Sequence, residues 1–243
     1  MKTARLSAVI LGILVMLFAT TLFAADSVIT LAGLEGKVVV KIAPSTKWVD
    51  AAVDQKLKAK DAIKTGDDGK ALLEFSDKSS VALKKNTEIM VKDLVWTAAA
   101  RKAELNMSMG DIRAVINKAG VASQFKIITP KAICFARGTV FYVMVTGNET
   151  RVFVTEGAVD FSNAAGGNTY VVVQNMTAIS DMSGTVSQPI ELTGAEKEQA
   201  LAGWDGAITE PYSAPEVQVG NEALSDDSQV TPENPGEKPA SQI

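Results

Sequence analysis

Arg137 is the charged residue with the most suggestive surroundings in this chain, because it directly precedes Gly138-Thr139, where another backbone can approach closely. Two roles fit it. A guanidinium pairs bidentately with carboxylates and could contact an anion or a partner. It could also act as a structural cation paired with Glu156, and this is the preferred reading. Glu156 and Asp160 stand four apart across a turn, which does not place them on one strand face, so they read as solvated positions rather than a glycosidase pair. Asp67-Asp68-Gly69 offers oxygen ligands for calcium, but it lacks the spaced donors and closing bidentate glutamate of a calcium loop, and a turn between strands explains it better. Cys134 is the lone cysteine and cannot form an internal disulfide; between Ile133 and Phe135 it reads as a small core hydrophobe. Histidine is absent, which excludes Ser–His–Asp hydrolysis and His-ligated metal centres. These groups assemble into no catalytic constellation. The chain reads as non-enzymatic, with no cofactor and no metal.

The elements that position these residues are short strands. Thr129-Pro130 ends one extended run, since the residue before proline is pushed out of the helical region. From Gly138-Thr139, Val140, Tyr142 and Met144 alternate with Phe141, Val143 and Val145 at the strand period of two. Turns follow at Gly147-Asn148 and Glu156-Gly157. Upstream, Val38 to Ile42, Ala71 to Phe75, Ser80 to Leu83 and Glu88 to Val95 are similar runs, punctuated by Gly36, Pro44, Gly66 to Gly69 and Ser76 to Ser79. Turn signals every eight to twelve residues predict an all-β domain, an antiparallel sandwich-like roll, with a β-solenoid-like winding as the alternative. Two zones of strands meet at Met109/Gly110. Ala164 to Asn168 separates Phe161 from a strand at Tyr170 to Val173, and Thr97 to Ala103 connects two strands. One short C-terminal helix is expected: Thr193 and Glu196 have capping-box spacing, Gly203 is placed to end it, and Leu201 and Trp204 are expected to dock it on the sheet.

The ends of the chain differ in kind from this body. Lys2 and Arg5 precede an apolar run from Leu6 to Phe23, and Ala24 and Ala25 offer small residues for cleavage, so residues 1–25 read as a signal peptide. An uncleaved inner-membrane anchor is the alternative, because 18 residues is near the minimum for a span. Residues 27–203 form the β domain. The stretch 205–243 carries eight acidic residues against one lysine, holds five of the eight prolines and reads as a disordered tail. From Asp26 to Trp204 there are 21 basic and 20 acidic residues, a balance that argues against nucleic acid, which needs clustered cations.

These runs resemble the FecR-domain family, the periplasmic module of iron-dicitrate sensor and anti-sigma regulators. The resemblance extends from about Gly36 to Ile179. It rests on Trp48, Leu57, Asp61, Ile63, Thr65-Gly66, Gly69 and Ala71 to Phe75, then Gly110 to Ala114, Phe125 to Thr129-Pro130, Arg137-Gly138-Thr139 and Glu156-Gly157. Lys60 and Lys78 stand where the family commonly has glycine in a turn, so those two turns are expected to differ in geometry. The sensor members also carry a cytoplasmic sigma-binding segment before a membrane helix, and only a few residues precede the apolar run here. The resemblance therefore implies a stand-alone, exported, non-enzymatic binding or sensing module, periplasmic or at the cell surface. Its partner is expected to be another envelope protein, with membrane contact only through the N-terminal segment. A structural or envelope-assembly scaffold and a membrane-anchored signalling protein are the alternatives.

Overall fold

The computed structural model describes residues 29–97, 99–118 and 122–204. The expected signal segment 1–25 and acidic tail 205–243 lie outside the described residues. Among those described, no helix is long and apolar enough to cross a membrane.

The first half of the chain runs through β1 (Ile29–Glu35), β2 (Val38–Lys41), β3 (Val49–Asp50), β4 (Lys56–Leu57), β5 (Ala62–Thr65), β6 (Lys70–Glu74), β7 (Ser80–Leu83) and β8 (Glu88–Trp96). A long strand, β9 (Ala100–Val115), follows. The second half comprises β10 (Ala122–Ile128), β11 (Ala132–Ala136), β12 (Val140–Val145), β13 (Thr150–Glu156), β14 (Ala158–Asn163), β15 (Tyr170–Val173), β16 (Met176–Ser180) and β17 (Ile190–Glu191), and then helix α1 (Gly194–Leu201).

Strand pairing sorts these into two layers. Sheet A has the order β4-β1-β6-β7-β9-β12-β13-β16-β17. Sheet B has the order β3-β2-β5-β8-β9-β10-β11-β14-β15. Strand β9 belongs to both: its N-terminal part pairs in sheet B and residues 110–115 pair in sheet A. Along each strand alternate residues point inward, as in β12, where Phe141, Val143 and Val145 are buried. The inward sets merge into one core. Phe75, just after β6, meets Trp96 of β8 at 4.5 Å and Phe125 of β10 at 5.9 Å, and Phe125 meets Phe141 of β12 at 6.4 Å. This aromatic chain ties layer to layer, as expected of a sandwich. Cys134 is fully buried within it, and burial pushes its thiol pKa up.

Three local expectations are corrected. The sheet is not wholly antiparallel, because β10 runs parallel to β9 from Ala100↔Ala122 to Asn106↔Ile128. A parallel pair needs a crossover, and here the sheet A part of β9 supplies it by carrying the chain through the opposite layer. For the same reason Met109/Gly110 is no boundary: Gly110, at φ +97°, is where one continuous strand passes between sheets. Lys60 and Lys78 do not alter their turns; both adopt the left-handed conformation, at φ +79° and +66°, that glycine commonly supplies.

The capping box forms as expected. Thr193 Oγ1 accepts from the Glu196 N–H, and Glu196 Oε2 accepts from the Thr193 N–H at 2.8 Å. Gly203 follows the helix at φ +75°. However, α1 buries none of its own residues, and Leu201 is only half-buried. The docking is done by Trp204, which sits on Ala32, Leu72 and Ala82.

Candidate functional site

The positions singled out in the sequence are distributed over separate turns and act as fold determinants. Asp61 is buried, and its two carboxylate oxygens accept the N–H groups of Ala43 and Lys58, each at 2.8 Å. Gly66 donates its N–H to Lys37 O at 2.7 Å, and a Cβ at Gly69 would collide with that same carbonyl. Thr129 Oγ1 accepts from the Ala132 N–H at 2.8 Å and meets Thr150 Oγ1 at 2.8 Å, while the adjoining Pro130 is exposed. Thr139 Oγ1 donates to Ala158 O at 2.9 Å, and a Cβ at Gly157 would lie 2.8 Å from Gly138 O, so Gly138-Thr139 and Gly157 hold two hairpins together. Trp48 is 36% exposed under the Lys41 ammonium, 4.9 Å from its ring centroid. Arg137 forms no ion pair with Glu156; its guanidinium lies 4.6 Å over Phe135, and Glu156 is exposed. Asp67-Asp68-Gly69 is the β5–β6 turn, where Asp68 accepts the Lys37 N–H at 2.9 Å. Among the described residues no group of acidic or cysteine side chains is placed to hold a metal ion.

Sequence reasoning passed over a different set. On the outer face of sheet A, register places Leu72, Ala82, Arg113, Tyr142 and Phe153 side by side across β6, β7, β9, β12 and β13. An outer face of an antiparallel sheet is ordinarily polar, yet four of these five are apolar or aromatic. Tyr142 stacks on Phe153 at 5.8 Å, and Trp204 stands edge-on to Tyr142 at 5.4 Å. Arg113 Nε donates to the Tyr142 hydroxyl at 3.2 Å. Lys84 lies 4.3 Å over the Trp204 ring and donates to Ala202 O at 2.9 Å, which pins the end of α1 to the sheet.

Because α1 is held only near its C-terminal end, by Trp204 and Lys84, space remains beneath it. A cavity of about 140 Å³ opens among Tyr142, Phe153, Trp204, Lys84, Asp111 and Arg151. A neighbouring groove of about 350 Å³ shares Met144, Arg151, Phe153 and Gln199 and extends to Leu192 and Glu196. Burial raises the Asp111 carboxyl above its ordinary value, opposed by the charge of Lys84; burial also lowers Lys84, opposed by Asp111. The result is an aromatic floor with a few ionisable groups at its rim, suited to recognition. One signal was available in the sequence: the outward set Val140, Tyr142, Met144 and Phe153 is too apolar for a solvated face.

Residues 61–160 match the family model described as FecR protein. The matched segment lies in the middle of the Gly36–Ile179 stretch over which the resemblance extends. Helix α1 and Trp204 lie beyond it. No curated protein matches the chain. Two crystal structures of a candidate anti-sigma factor from Parabacteroides distasonis ATCC 8503, at 1.65 and 2.50 Å resolution, are similar to it, each with 16% identity and a TM-score of 0.48. The similarity covers 58% of this chain and 65% and 64% of theirs, so the chain spans less than two thirds of their length.

Proposed function

We propose that this chain, whose residues 61–160 match the FecR family model, is an exported, non-enzymatic binding or sensing module of the cell envelope whose recognition surface is the groove under α1. The family match supports a regulatory role. The observation that carries the choice of surface is the aromatic row on the outer face of sheet A, roofed by a helix that buries none of its own residues. Most of this row is covered by Trp204, but half-buried Tyr142 and exposed Met144 leave apolar surface open beside it, and such surface marks a contact site.

Export rests on Lys2, Arg5, the Leu6–Phe23 run and Ala24-Ala25, which would leave a mature chain starting near Asp26 in the periplasm or at the cell surface. The non-enzymatic reading rests on the lack of histidine and on the separation of Asp61, Arg137 and Glu156, the first held by backbone N–H groups, the second over Phe135 and the third exposed at the end of β13. The partner is another envelope protein or a ligand, reached without nucleic acid. The 205–243 segment, with its excess of acidic residues, serves as a tether.

Two measurements test this. A photo-crosslinking residue at Met144, within the groove, should capture a discrete partner in cells, whereas one at Arg137, in the β11–β12 turn over Phe135 of sheet B, should not. Capture at Arg137 alone would move recognition to the other face. Intact mass of the protein from fractionated cells should begin near Asp26; recovery of the uncut chain in the inner membrane would favour an anchored signalling protein.

A further inference from the structure

We propose that β15, the outermost strand of sheet B, pairs with β15 of a second copy of this chain to form a symmetric dimer. Three of the four sheet edges are blunted against such pairing, and this one is not. The contact lies on a different sheet from the groove under α1 and leaves that groove open.

An edge strand presents unpaired N–H and C=O groups to any chain that can hydrogen-bond with them, and proteins ordinarily blunt such strands by keeping them short or charged. Sheet A ends in β4 and β17, and sheet B ends in β3 and β15. Strands β3, β4 and β17 are two residues each and carry Asp50, Lys56 and Glu191 respectively. Strand β15 has four residues, Tyr170-Val171-Val172-Val173, without a charge, a proline or a bulge. Among the described residues it pairs with β14 alone.

The strand is complementary to itself, which selects a second copy as its partner. Val172 is fully buried and fixes β15 to the core, so the edge is presented with little further ordering to pay for. Val171 and Val173, 55% and 41% exposed, stand on the outer face. Antiparallel pairing about a two-fold axis at Val172 sets Val171 of each copy against Val173 of the other, which gives two cross-strand valine pairs on that face. On β14, Asp160 lies opposite Val171 and Ala158 opposite Val173. The Asp160 carboxylates of the two copies are then at least about 14 Å apart, three strand spacings, and are screened from each other. Four residues a side make a small contact, so half-association is expected at roughly 0.1–1 mM.

Sedimentation velocity of the whole mature protein, from about 10 µM to about 1 mM, tests the pairing. The sedimentation coefficient should rise with concentration toward that of a dimer. Val171→Lys/Val173→Lys should weaken association at least about tenfold, because it sets lysine against lysine in both pairs. Both positions are exposed, and near-UV circular dichroism checks that the double variant folds. Ile190→Lys, at an exposed position on the edge of sheet A, should associate as the parent does. Amide hydrogen exchange of the parent needs no substitution: N–H groups of β15 should gain several-fold protection at the high concentration, and those of β3, β4 and β17 none. A parent that stays monomeric throughout, a dimer undiminished in the folded double variant, or protection gained at another edge instead overturns the proposal. In cells, a photo-crosslinking residue at Val173 should yield a product of twice the chain's mass. Capture of a different protein in its place assigns the edge to a foreign strand and overturns the self-pairing.

Discussion

Replacing Gly110 with alanine should be among the most damaging single-methyl changes available to this protein. At φ +97° an L-residue is strained, at a cost of about 1–2 kcal/mol. The added Cβ would also overlap Thr87 Oγ1 and come within 2.7 Å of Asn86 O. Thr87 is fully buried, and its hydroxyl accepts the Asp111 N–H at 3.0 Å and sits 3.2 Å from Asp111 O, so moving it breaks the link that steadies β9 at its crossing. Loss of such a bond costs about 1 kcal/mol. Together these give about 3 kcal/mol, or a fall in Tm of roughly 6–12 °C for a domain of this size. The assay is thermal unfolding followed by far-UV circular dichroism, with urea denaturation to check that m is unchanged. Gly147→Ala is the control: its Cβ meets nothing within 4 Å, so it should move stability by less than about 0.5 kcal/mol. A Gly110→Ala protein melting within about 2 °C of the parent would refute the claim that this crossing is conformationally obligatory.

Other changes test other parts of the molecule. Lys60→Gly should stabilise by up to about 1 kcal/mol, because relief of left-handed strain exceeds the extra chain entropy of glycine; Lys78→Gly should gain less, as it also loses the ion pair with Glu74, and chemical denaturation reads both. Asp61→Ala leaves the Ala43 and Lys58 N–H groups without their acceptor and should cost about 3 kcal/mol in the same measurement. Asp111 has its carboxyl raised by burial, so the folded state holds that proton more tightly; stability from this residue falls as pH rises from the ordinary carboxylate value of 3.8 through its folded value, and Asp111→Asn should remove that slope from Tm against pH. Cys134, fully buried with its thiol pKa pushed up, should react with a thiol reagent only at the rate of unfolding.

The fold was legible wherever local chemistry decides it. Val140 to Val145 alternates in sequence and in burial, and the Thr193–Glu196 capping box is a four-residue pattern complete in itself. What escaped was long-range. The parallel β9–β10 pair depends on a strand of 16 residues dividing itself between two sheets, and only Gly110 hints at it. The left-handed lysines show that a turn imposed by its flanking strands overrides residue preference. The site was missed for a related reason. Lys84, Asp111, Tyr142, Phe153 and Trp204 come from five separate parts of the chain, and the cross-strand register that aligns them is invisible to a reading along one strand. Attention to motif turns such as Arg137-Gly138-Thr139 found the residues that build the hairpins rather than the surface they support.

That division has a physical basis. Turn residues such as Asp61, Thr129 and Thr139 are fully engaged with backbone groups, so a ligand would have to compete with the hydrogen bonds that hold the fold. The outer face of sheet A carries no such burden. Its backbone is already satisfied within the sheet, and Arg113, Tyr142 and Phe153 project from strands whose inward residues fix them rigidly in the core. A floor held rigid in this way lowers the entropic cost of recognition. The roof is the opposite, a capped helix fastened by one indole and one lysine. The strand β9 connects this face to the rest of the molecule, since Asp111 and Arg113 follow Gly110 on the same strand whose earlier Glu104 is paired with Lys92, Lys102 and Lys126 on the opposite sheet. Arg113, through its bond to the Tyr142 hydroxyl, ties that cavity-lining ring to the one element common to both layers.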